Sequence, residues 1–347
     1  MKKIISTLAE PEILSEDGLD SEGVGLSDAS ECLEWRVGVE QHDMRLDKAL
    51  ALWVPACSRS YLVQLMEQGA ASVNGREVQK PSLKLRAGDE VVLHMRAAVT
   101  PQAFAAQDVA FETVYVDEHI RVIHKPAGLV VHPGAGNWDG TLLNGLLFHD
   151  SQAAQVPRAG IVHRLDKDTS GLMVVARTRQ AMDVLVEQMA RRDIERLYVA
   201  LVHGQWKLAS SVTFQGWMGR DPRVRTRMAL WLHESAGLRY SRTHVQRIDG
   251  HEQATLVGCK LDTGRTHQVR VHLAHAKHPL VADTVYGGKL AWGLHRQALH
   301  ACRLSLNHPQ SGDRMTWEAD LPLDLQQAIA ACGLQYNAHW ISQLNHP

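Results

Sequence analysis

Residues Ile161–Ala176 read IVHRLDKDTSGLMVVA, and this stretch decides how the rest of the chain is interpreted. It places cations, carboxylates, hydroxyls and a glycine in a short polar segment between two apolar runs. Such a segment is too polar to be buried without partners, while the flanking runs anchor it to a core. A loop held firmly by strands is where proteins commonly place a reacting group. We therefore expect Asp166, in the middle of this loop, to carry the chemistry.

Length and composition indicate a globular protein with more than one core. The chain has 347 residues, of which 45% are hydrophobic, and this length suits two or more domains. No apolar run reaches the length of a membrane span, and the apolar part of the N-terminal segment ends too soon for a signal peptide. Five scattered cysteines without paired spacing predict reduced thiols and a cytoplasmic location.

Charge is distributed unevenly along the chain, although the net charge is only −1. Residues 1–43 hold 11 acidic and three basic side chains, and the remainder holds 27 acidic and 34 basic ones. A positive body behind an acidic head is compatible with a polyanionic partner such as a nucleic acid. The head is also rich in Ser and Gly, so we predict an acidic, disordered extension over residues 1–34.

A small α+β module is predicted for residues 35–96. Apolar residues in segment 46–53 recur with helical spacing, and a second helix over 58–69 has a Ser N-cap and a Gly C-cap. The dipeptide Asn74-Gly75 is a strong signal for a two-residue β-hairpin.

Residues 111–335 are predicted to form a larger α+β domain with a mixed sheet, after a linker at 97–110 and before a C-terminal tail at 336–347. Strand-like and helix-like runs alternate without a regular βαβ repeat, and the dinucleotide and phosphate-loop signatures are missing. The predicted strands lie at 122–123, 129–131, 172–176, 199–202 and 256–261, and the predicted helices at 142–147 and 181–190.

The first module resembles the small RNA-binding domain named after ribosomal protein S-four. The likeness is carried by Arg-Leu-Asp-Lys-x-Leu at 45–50, Ser-Arg-Ser at 58–60, Gly-x-x-x-Val-Asn-Gly at 69–75 and Gly-Asp-x-Val at 88–91. The resemblance implies that polar and basic side chains of the helix pair bind folded RNA. The candidates are Arg45, Lys48, Arg59, Gln64 and Arg76.

The chain from Val114 to Pro322 resembles the RluA-type pseudouridine synthases. Motifs of this family follow one another in order at 117–133, 163–171, 196–204, 261–272, 278–279, 283–287 and 296–301. Departures are few, and one is Arg196, at a position where lysine is common. The resemblance implies isomerisation of uridine to pseudouridine in RNA without a cofactor, and is closest to members that modify the helix 69 stem-loop of large-subunit (23S) rRNA.

The resemblance also implies roles for particular residues. Asp166 is the implied catalytic carboxylate, as a nucleophile on ribose or base or as a base toward the second sugar carbon. The uridine must leave the base stack to reach it, so Tyr198 is implied to stack on the base and transfer protons, and Arg164 to assist flipping. A guanidinium would offset the partial desolvation of Asp166. We predict Arg270 for this role and Arg265 as second choice, on opposite faces of an extended segment.

Further candidates and alternatives remain open at this stage. His163, Arg265 and Lys125 are predicted to contact RNA in the body, and Asp168 to cap its own loop. The enzyme could instead modify another rRNA or tRNA uridine, or the chain could be a catalytically silent ribosome-assembly factor that binds the large subunit or its precursor. A metal-dependent hydrolase would use the histidine cluster, but its spacing matches no standard zinc pattern, so we predict no metal. The histidines of this cluster are His267, His272, His275 and His278.

Overall fold

The computed structural model describes residues 31–54, 59–95, 105–134, 136–224 and 226–343. The chain divides into two compact units, residues 1–101 and residues 102–347, and the division falls inside the predicted linker. Among the described residues, no helix is long and apolar enough to cross a membrane.

The first unit packs two helices against a four-stranded antiparallel sheet with the strand order β1-β4-β2-β3. Its elements are β1 (Glu31–Arg36), α1 (Leu46–Trp53), α2 (Arg59–Glu67), β2 (Ala71–Val73), β3 (Arg76–Glu77) and β4 (Glu90–Met95). The helical spacing predicted for α1 is confirmed, because Leu46, Ala49 and Leu50 are fully buried in the core of this unit. The fourth residue of that face, Trp53, stacks on Trp35 of β1 with ring centroids 5.2 Å apart.

The predicted hairpin turn is also present. Asn74 and Gly75 join β2 to β3 with φ angles of 52° and 73°, the left-handed pair that a two-residue hairpin requires. The predicted extension over 1–34 is wrong in its last four residues, because β1 starts at Glu31 and pairs with β4. The Ser58 cap predicted for α2 lies outside the described residues.

The second unit is built on a mixed sheet, as predicted. This sheet has ten strands among the described residues. Nine strands follow the order β10-β9-β11-β12-β8-β13-β7-β6-β5, and β14 pairs with β13. Within the described sheet the pairing is antiparallel except between β13 and β7. The strands are β5 (Glu112–Val116), β6 (Ile120–Lys125), β7 (Ser170–Ala176), β8 (Glu195–His203), β9 (Ser211–Arg220), β10 (Met228–Trp231), β11 (Arg239–Gly250), β12 (Ala254–Leu261), β13 (Leu299–Asn307) and β14 (Arg314–Glu318).

Helices cover both faces of the centre of this sheet, so its central strands are buried on both sides. Successive residues of β8 enter different cores: Tyr198 and Ala200 belong to one, and Val199 and Leu201 to the other. The first core includes residues of α3 and α5, and the second includes residues of α6 and α7. The helices are α3 (Leu142–His149), α4 (Arg179–Arg191), α5 (Gln268–His275), α6 (Leu323–Ala331) and α7 (Trp340–Gln343).

Two predictions for this unit are wrong. Segment 129–131 is a loop rather than a strand, because the carbonyls of Val130 and Val131 accept N–H groups from the first turn of α3 at 2.8 and 3.1 Å. Its apolar character reflects burial and not strand pairing. The predicted tail at 336–347 contains α7, whose Trp340 is 2% exposed and belongs to the second core.

Candidate active site

Asp166 lies in the loop 162–169, here called the aspartate loop, which leads into β7. Lys125, the last residue of β6, holds this loop in place through hydrogen bonds. The Lys125 Nζ donates hydrogen bonds to the carbonyl oxygens of Pro126, Leu129 and Lys167 at 2.8, 2.8 and 2.9 Å. Lys125 is fully buried, so the prediction that it contacts RNA is wrong. Its amino group instead donates to three backbone carbonyls, of which that of Lys167 also accepts the N–H of Gly128 at 2.9 Å.

The carboxylate of Asp166 is paired with Arg270, as predicted. Arg270 Nη1 donates to Asp166 Oδ2 at 3.0 Å, and the two side chains are 7% and 15% exposed. Arg270 lies on α5 and Arg265 in the loop before it, so the expectation of a shared extended segment is wrong. The Arg265 Nε donates to the carbonyl of Tyr240 at 3.1 Å.

A second carboxylate, Asp283, holds Arg270 from the other side. Arg270 Nε and Nη2 donate to the two oxygens of Asp283 at 2.7 and 2.9 Å, and Asp283 is almost fully buried. Burial disfavours the charge of Arg270, but the bonds and charges of Asp283 and Asp166 raise its pKa above the ordinary value. This bidentate pairing orients the guanidinium, so its Nη1 is directed at Asp166.

Tyr286 connects this pair to the neighbouring β10. Its ring contacts the guanidinium groups of Arg270 and Arg227, whose central carbons are 5.0 and 5.2 Å from the ring centroid. The Tyr286 hydroxyl accepts the N–H of Met228 at 2.8 Å, which leaves its own proton for Nδ1 of His267, also 2.8 Å away. With the hydroxyl as the donor of this bond, the neutral imidazole carries its proton on Nε2. Burial lowers the pKa of His267, which favours that neutral form.

Two connected cavities meet at Asp166. The outer cleft encloses about 510 Å³ and is lined on opposite sides by the aspartate loop and by residues near Asp283 and Arg296. A smaller inner cavity is lined by Tyr198 and Arg196 of β8. Five residues line both spaces, namely Arg164, Leu165, Asp166, His267 and Arg270. Burial raises the pKa of Tyr198 to about 12, so its phenol is protonated at neutral pH.

Arg164 and His163, which are also predicted to contact RNA, differ in their exposure. Arg164 is exposed where the two cavities meet, as a residue that assists base flipping would be. His163 is turned inward, and its Nε2 accepts the N–H of Val174 in β7 at 3.1 Å. Its Nδ1 is buried as well, so neither ring nitrogen faces solvent and the structure gives the predicted RNA contact of His163 no support.

The structure also shows which of the predicted RNA-binding residues of the first unit are exposed. Arg45, Lys48 and Arg76 are exposed, and Arg45 also donates to both oxygens of Asp47 at 3.0 and 3.1 Å. The predicted contact Arg59 lies in α2, but its side chain lies outside the described part of the chain. These positions leave Lys48 and Arg76 accessible to a polyanion.

The histidine cluster does not converge on a common point. His272 is fully buried and bonded to the hydroxyls of Thr243 and Ser241 at 2.8 and 3.0 Å, and His278 is bonded to the carbonyl of His203 at 3.1 Å. Within the described ranges, no three His, Cys, Asp or Glu side chains are placed to share a metal ion. The geometry gives the metal-hydrolase interpretation no support.

Sequence reasoning overlooked several residues of the site, among them Asp283 and Arg196. Both stand in the motifs quoted above, Asp283 in segment 283–287 and Arg196 two residues before Tyr198. The alternation of side chains along a strand could have placed Arg196 beside Tyr198. Nothing local to Asp283 indicated that it binds Arg270.

The fold and this site define a class of RNA-modifying enzyme. Residues 119–275 match the family profile described as RNA pseudouridylate synthase, and residues 44–91 match the S4 domain. The solved structures of human RNA Pseudouridylate Synthase Domain Containing 1 and 4 share this fold, each with a TM-score of 0.51. Their sequences are 24% and 21% identical and the matches cover 69% and 65% of the present chain and 96% and 94% of theirs.

Curated relatives extend the match over most of the chain. A protein of Xanthomonas campestris is 46% identical over 83% of this chain and 88% of its own length. Proteins of Escherichia coli K12 and Neisseria meningitidis serogroup B are 42% and 41% identical, over 87% and 91% of this chain and 95% and 86% of their own lengths. All three carry the name "Ribosomal large subunit pseudouridine synthase D". The present chain belongs to the family of RNA pseudouridine synthases with an S4 domain.

Proposed function

We propose that this enzyme converts uridines of large-subunit rRNA to pseudouridine, in the helix 69 stem-loop, with Asp166 as the catalytic carboxylate. The observation that carries the proposal is the pairing of Asp166 with Arg270 at 3.0 Å where two cavities meet. The names of the relatives support large-subunit rRNA as the substrate. The proposal includes a cytoplasmic location and the precursor of the large subunit as partner.

The geometry suits a flipped uridine. The outer cleft of about 510 Å³ is large enough for a nucleotide, and the inner cavity beyond it is lined by the aromatic ring of Tyr198. Asp166 lines both spaces, so its carboxylate would face the bond between sugar and base. Arg164 at the same place would occupy the position that the base vacates.

The reaction breaks the C1′–N1 bond of uridine, turns the base and forms a C1′–C5 bond. A proton leaves C5 and N1 acquires one, so the composition of the RNA is unchanged. Asp166 would act in one of two ways. It would attack C1′ or the base as a nucleophile, or it would act as a base and remove a proton from the second sugar carbon. Tyr198, whose pKa is raised to about 12 by burial, would exchange protons with the base as a neutral phenol.

The first prediction tests target and catalyst together. Pseudouridine is mapped across the large-subunit rRNA of cells that lack this gene and of cells complemented with wild type, Asp166→Asn or Asp183→Asn. We expect the helix 69 signal to be absent without the gene and with Asp166→Asn, and restored by wild type. Asp183→Asn is the control, since Asp183 pairs with Arg179 on the exposed surface of α4 and should restore the signal.

Other outcomes of this mapping point elsewhere. A signal that disappears from a different rRNA or tRNA site would retain the enzyme and reject the target. An unchanged map of all RNAs, together with ribosome assembly that Asp166→Asn still supports, would favour a silent assembly factor. Pseudouridine formed by Asp166→Asn at the wild-type rate would reject Asp166 as the catalytic group.

A further inference from the structure

Arg196 of β8 is a buried cation without a counter-ion. It is 6% exposed, and its Nε is fully buried without a hydrogen-bond partner. No carboxylate of the described residues lies within 4.0 Å of its guanidinium. The carboxylate whose charge it senses, Asp262, is bonded to His244 at 3.0 Å and lies 3.6 Å from Arg242.

Arg270, the other buried arginine of the described residues, is paired, and so is Arg121, whose side chain is 12% exposed. Arg270 binds the carboxylates of Asp166 and Asp283, and Arg121 lies 3.2 Å from the buried carboxylate of Asp150. A buried guanidinium without such a partner is costly, because transfer from water is not offset by an opposite charge. A residue that lowers the stability of the fold in this way is a candidate for function.

The residues around Arg196 indicate which kind of ligand it would bind. Arg196 and Tyr198 stand two residues apart on β8, so they project from the same face, and both line the inner cavity together with Asp166. Gly264 on the opposite wall leaves room for the guanidinium, because a Cβ there would lie 2.7 Å from Arg196 Nη1. The guanidinium therefore faces the space in which the base of the flipped uridine would stack.

We propose that Arg196 binds a carbonyl oxygen of the flipped uracil and stabilises the negative charge that the base carries while it is detached from ribose. The inference rests on the flipped uridine of the proposed function. Arginine has only donors, so it pairs with O2 or O4 of uracil and not with N3–H. When the C1′–N1 bond breaks, its electron pair passes to the base and is shared among N1, O2 and O4. A fixed cation then binds the base more tightly than it binds neutral uridine, which is the condition for catalysis.

The test compares Arg196→Met with Arg196→Lys in the full-length enzyme. Methionine has a similar length without the charge, and lysine keeps the charge at a position where the resembling family commonly has it. In single-turnover reactions on the target RNA we expect Arg196→Met to be slower by about 100-fold or more, and Arg196→Lys to stay within about 10-fold of wild type. The RNA Kd of both variants should change by less than about threefold, because neutral uracil gains little from the cation.

A stability measurement separates this role from a structural one. Because Arg196→Met removes an unpaired buried charge, we expect its Tm to equal or exceed that of wild type. The matched control is Arg121→Met, which leaves Asp150 with one partner fewer and should lower Tm while the single-turnover rate is unchanged. The proposal would be overturned if Arg196→Met had a lower Tm than wild type and its loss of rate were no larger than its loss of folded protein.

Modified RNA identifies the atom that Arg196 binds. A target uridine is replaced by 2-thiouridine or 4-thiouridine, whose sulfur accepts hydrogen bonds poorly. One of the two should slow wild type more than it slows Arg196→Met, and equal slowing of both enzymes by each RNA would overturn the contact. Wild-type turnover on the RNA is established first, so a wrong target appears as inactive wild type. The role of Arg196 would be wrong if Arg196→Met reacted at the wild-type rate. It would also be wrong if the RNA Kd of Arg196→Met rose by the same factor by which its rate fell.

Discussion

Tyr286 shows how one side chain holds several parts of the site together. Its ring contacts the guanidinium groups of Arg270 and Arg227, and its hydroxyl joins the backbone of Met228 to the imidazole of His267. The electrons of the ring attract both cations, and the hydroxyl holds the imidazole in place. The position of Arg270, the partner of Asp166, is thus stabilised by a residue that Asp166 does not contact.

Tyr286→Phe tests the contribution of the hydroxyl, since it keeps the ring beside the two cations. The half-buried Met228 N–H would lose its acceptor, and we expect the free energy of unfolding to fall by about 1–2 kcal/mol in denaturant titrations. The matched control is Tyr240→Phe, which removes an exposed bond to Gln215 and should cost less than about 0.5 kcal/mol. Equal losses in the two variants would contradict this account of Tyr286.

At the scale of elements, the short helix α7 closes the second core. A Cβ on Gly258 of β12 would lie 2.1 Å from Cε3 of Trp340, so glycine at this position allows the indole to rest on the sheet. The indole is 2% exposed although it belongs to the last described helix of the chain. Helix α7 is therefore part of the folded unit.

Trp340→Ala tests this packing. Loss of a large buried aromatic ring leaves a cavity, and we expect the free energy of unfolding to fall by about 3–5 kcal/mol. Leu323→Ala, at the exposed start of α6, is the comparison and should change it by less than about 0.5 kcal/mol. If Trp340→Ala unfolded at the same denaturant concentration as wild type, α7 would not belong to the core.

The aspartate loop is another element whose position depends on its neighbours. Lys125 of β6 binds the carbonyl of Lys167, and Arg296 donates to the carbonyl of Asp168 at 3.0 Å while gripping Asp324. Two cations from distant segments thus hold the backbone of the two residues that follow Asp166. A loop fixed in this way presents its carboxylate without ordering cost when RNA binds.

At the scale of the whole molecule, buried histidines make stability depend on pH. His272 and His300 are fully buried, and burial lowers their pKa values to about 4 and about 3. In the unfolded chain both bind a proton near pH 6.5, so the unfolded state holds more protons at mildly acid pH. Stability from these groups is complete above pH 6.5 and is lost as the pH falls below it.

We expect the free energy of unfolding to fall between pH 7.5 and pH 5, with each such histidine adding about 1.4 kcal/mol per pH unit below its unfolded pKa. Urea titrations at several pH values measure this slope for wild type and His300→Asn. The variant should show a smaller slope, because asparagine does not titrate and its amide can still bond Ser170. His233→Asn, at an exposed position, should leave the slope unchanged. A slope unaffected by His300→Asn would contradict the assignment.

The sequence by itself determined the two units, the mixed sheet and the loop that carries Asp166. These features follow from local patterns: apolar spacing in α1, the Asn74-Gly75 turn, and apolar runs on both sides of a polar segment. It also indicated Arg270 as the partner of Asp166, through the resemblance to a family and not through spacing. The strand assumed for 129–131 failed because apolar character reports burial and does not distinguish a strand from a buried loop.

Only the tertiary structure decided which polar groups are partnered and which are not. Asp166 and Arg270 are 104 residues apart in sequence, and Lys125 and Lys167 are 42 apart, so their contacts depend on how the sheet is assembled. The same assembly buries Lys125, turns His163 inward and leaves Arg196 without a counter-ion beside Tyr198. Burial and pairing set the electrostatic free energy of each group, and both are properties of three-dimensional packing that no local pattern contains.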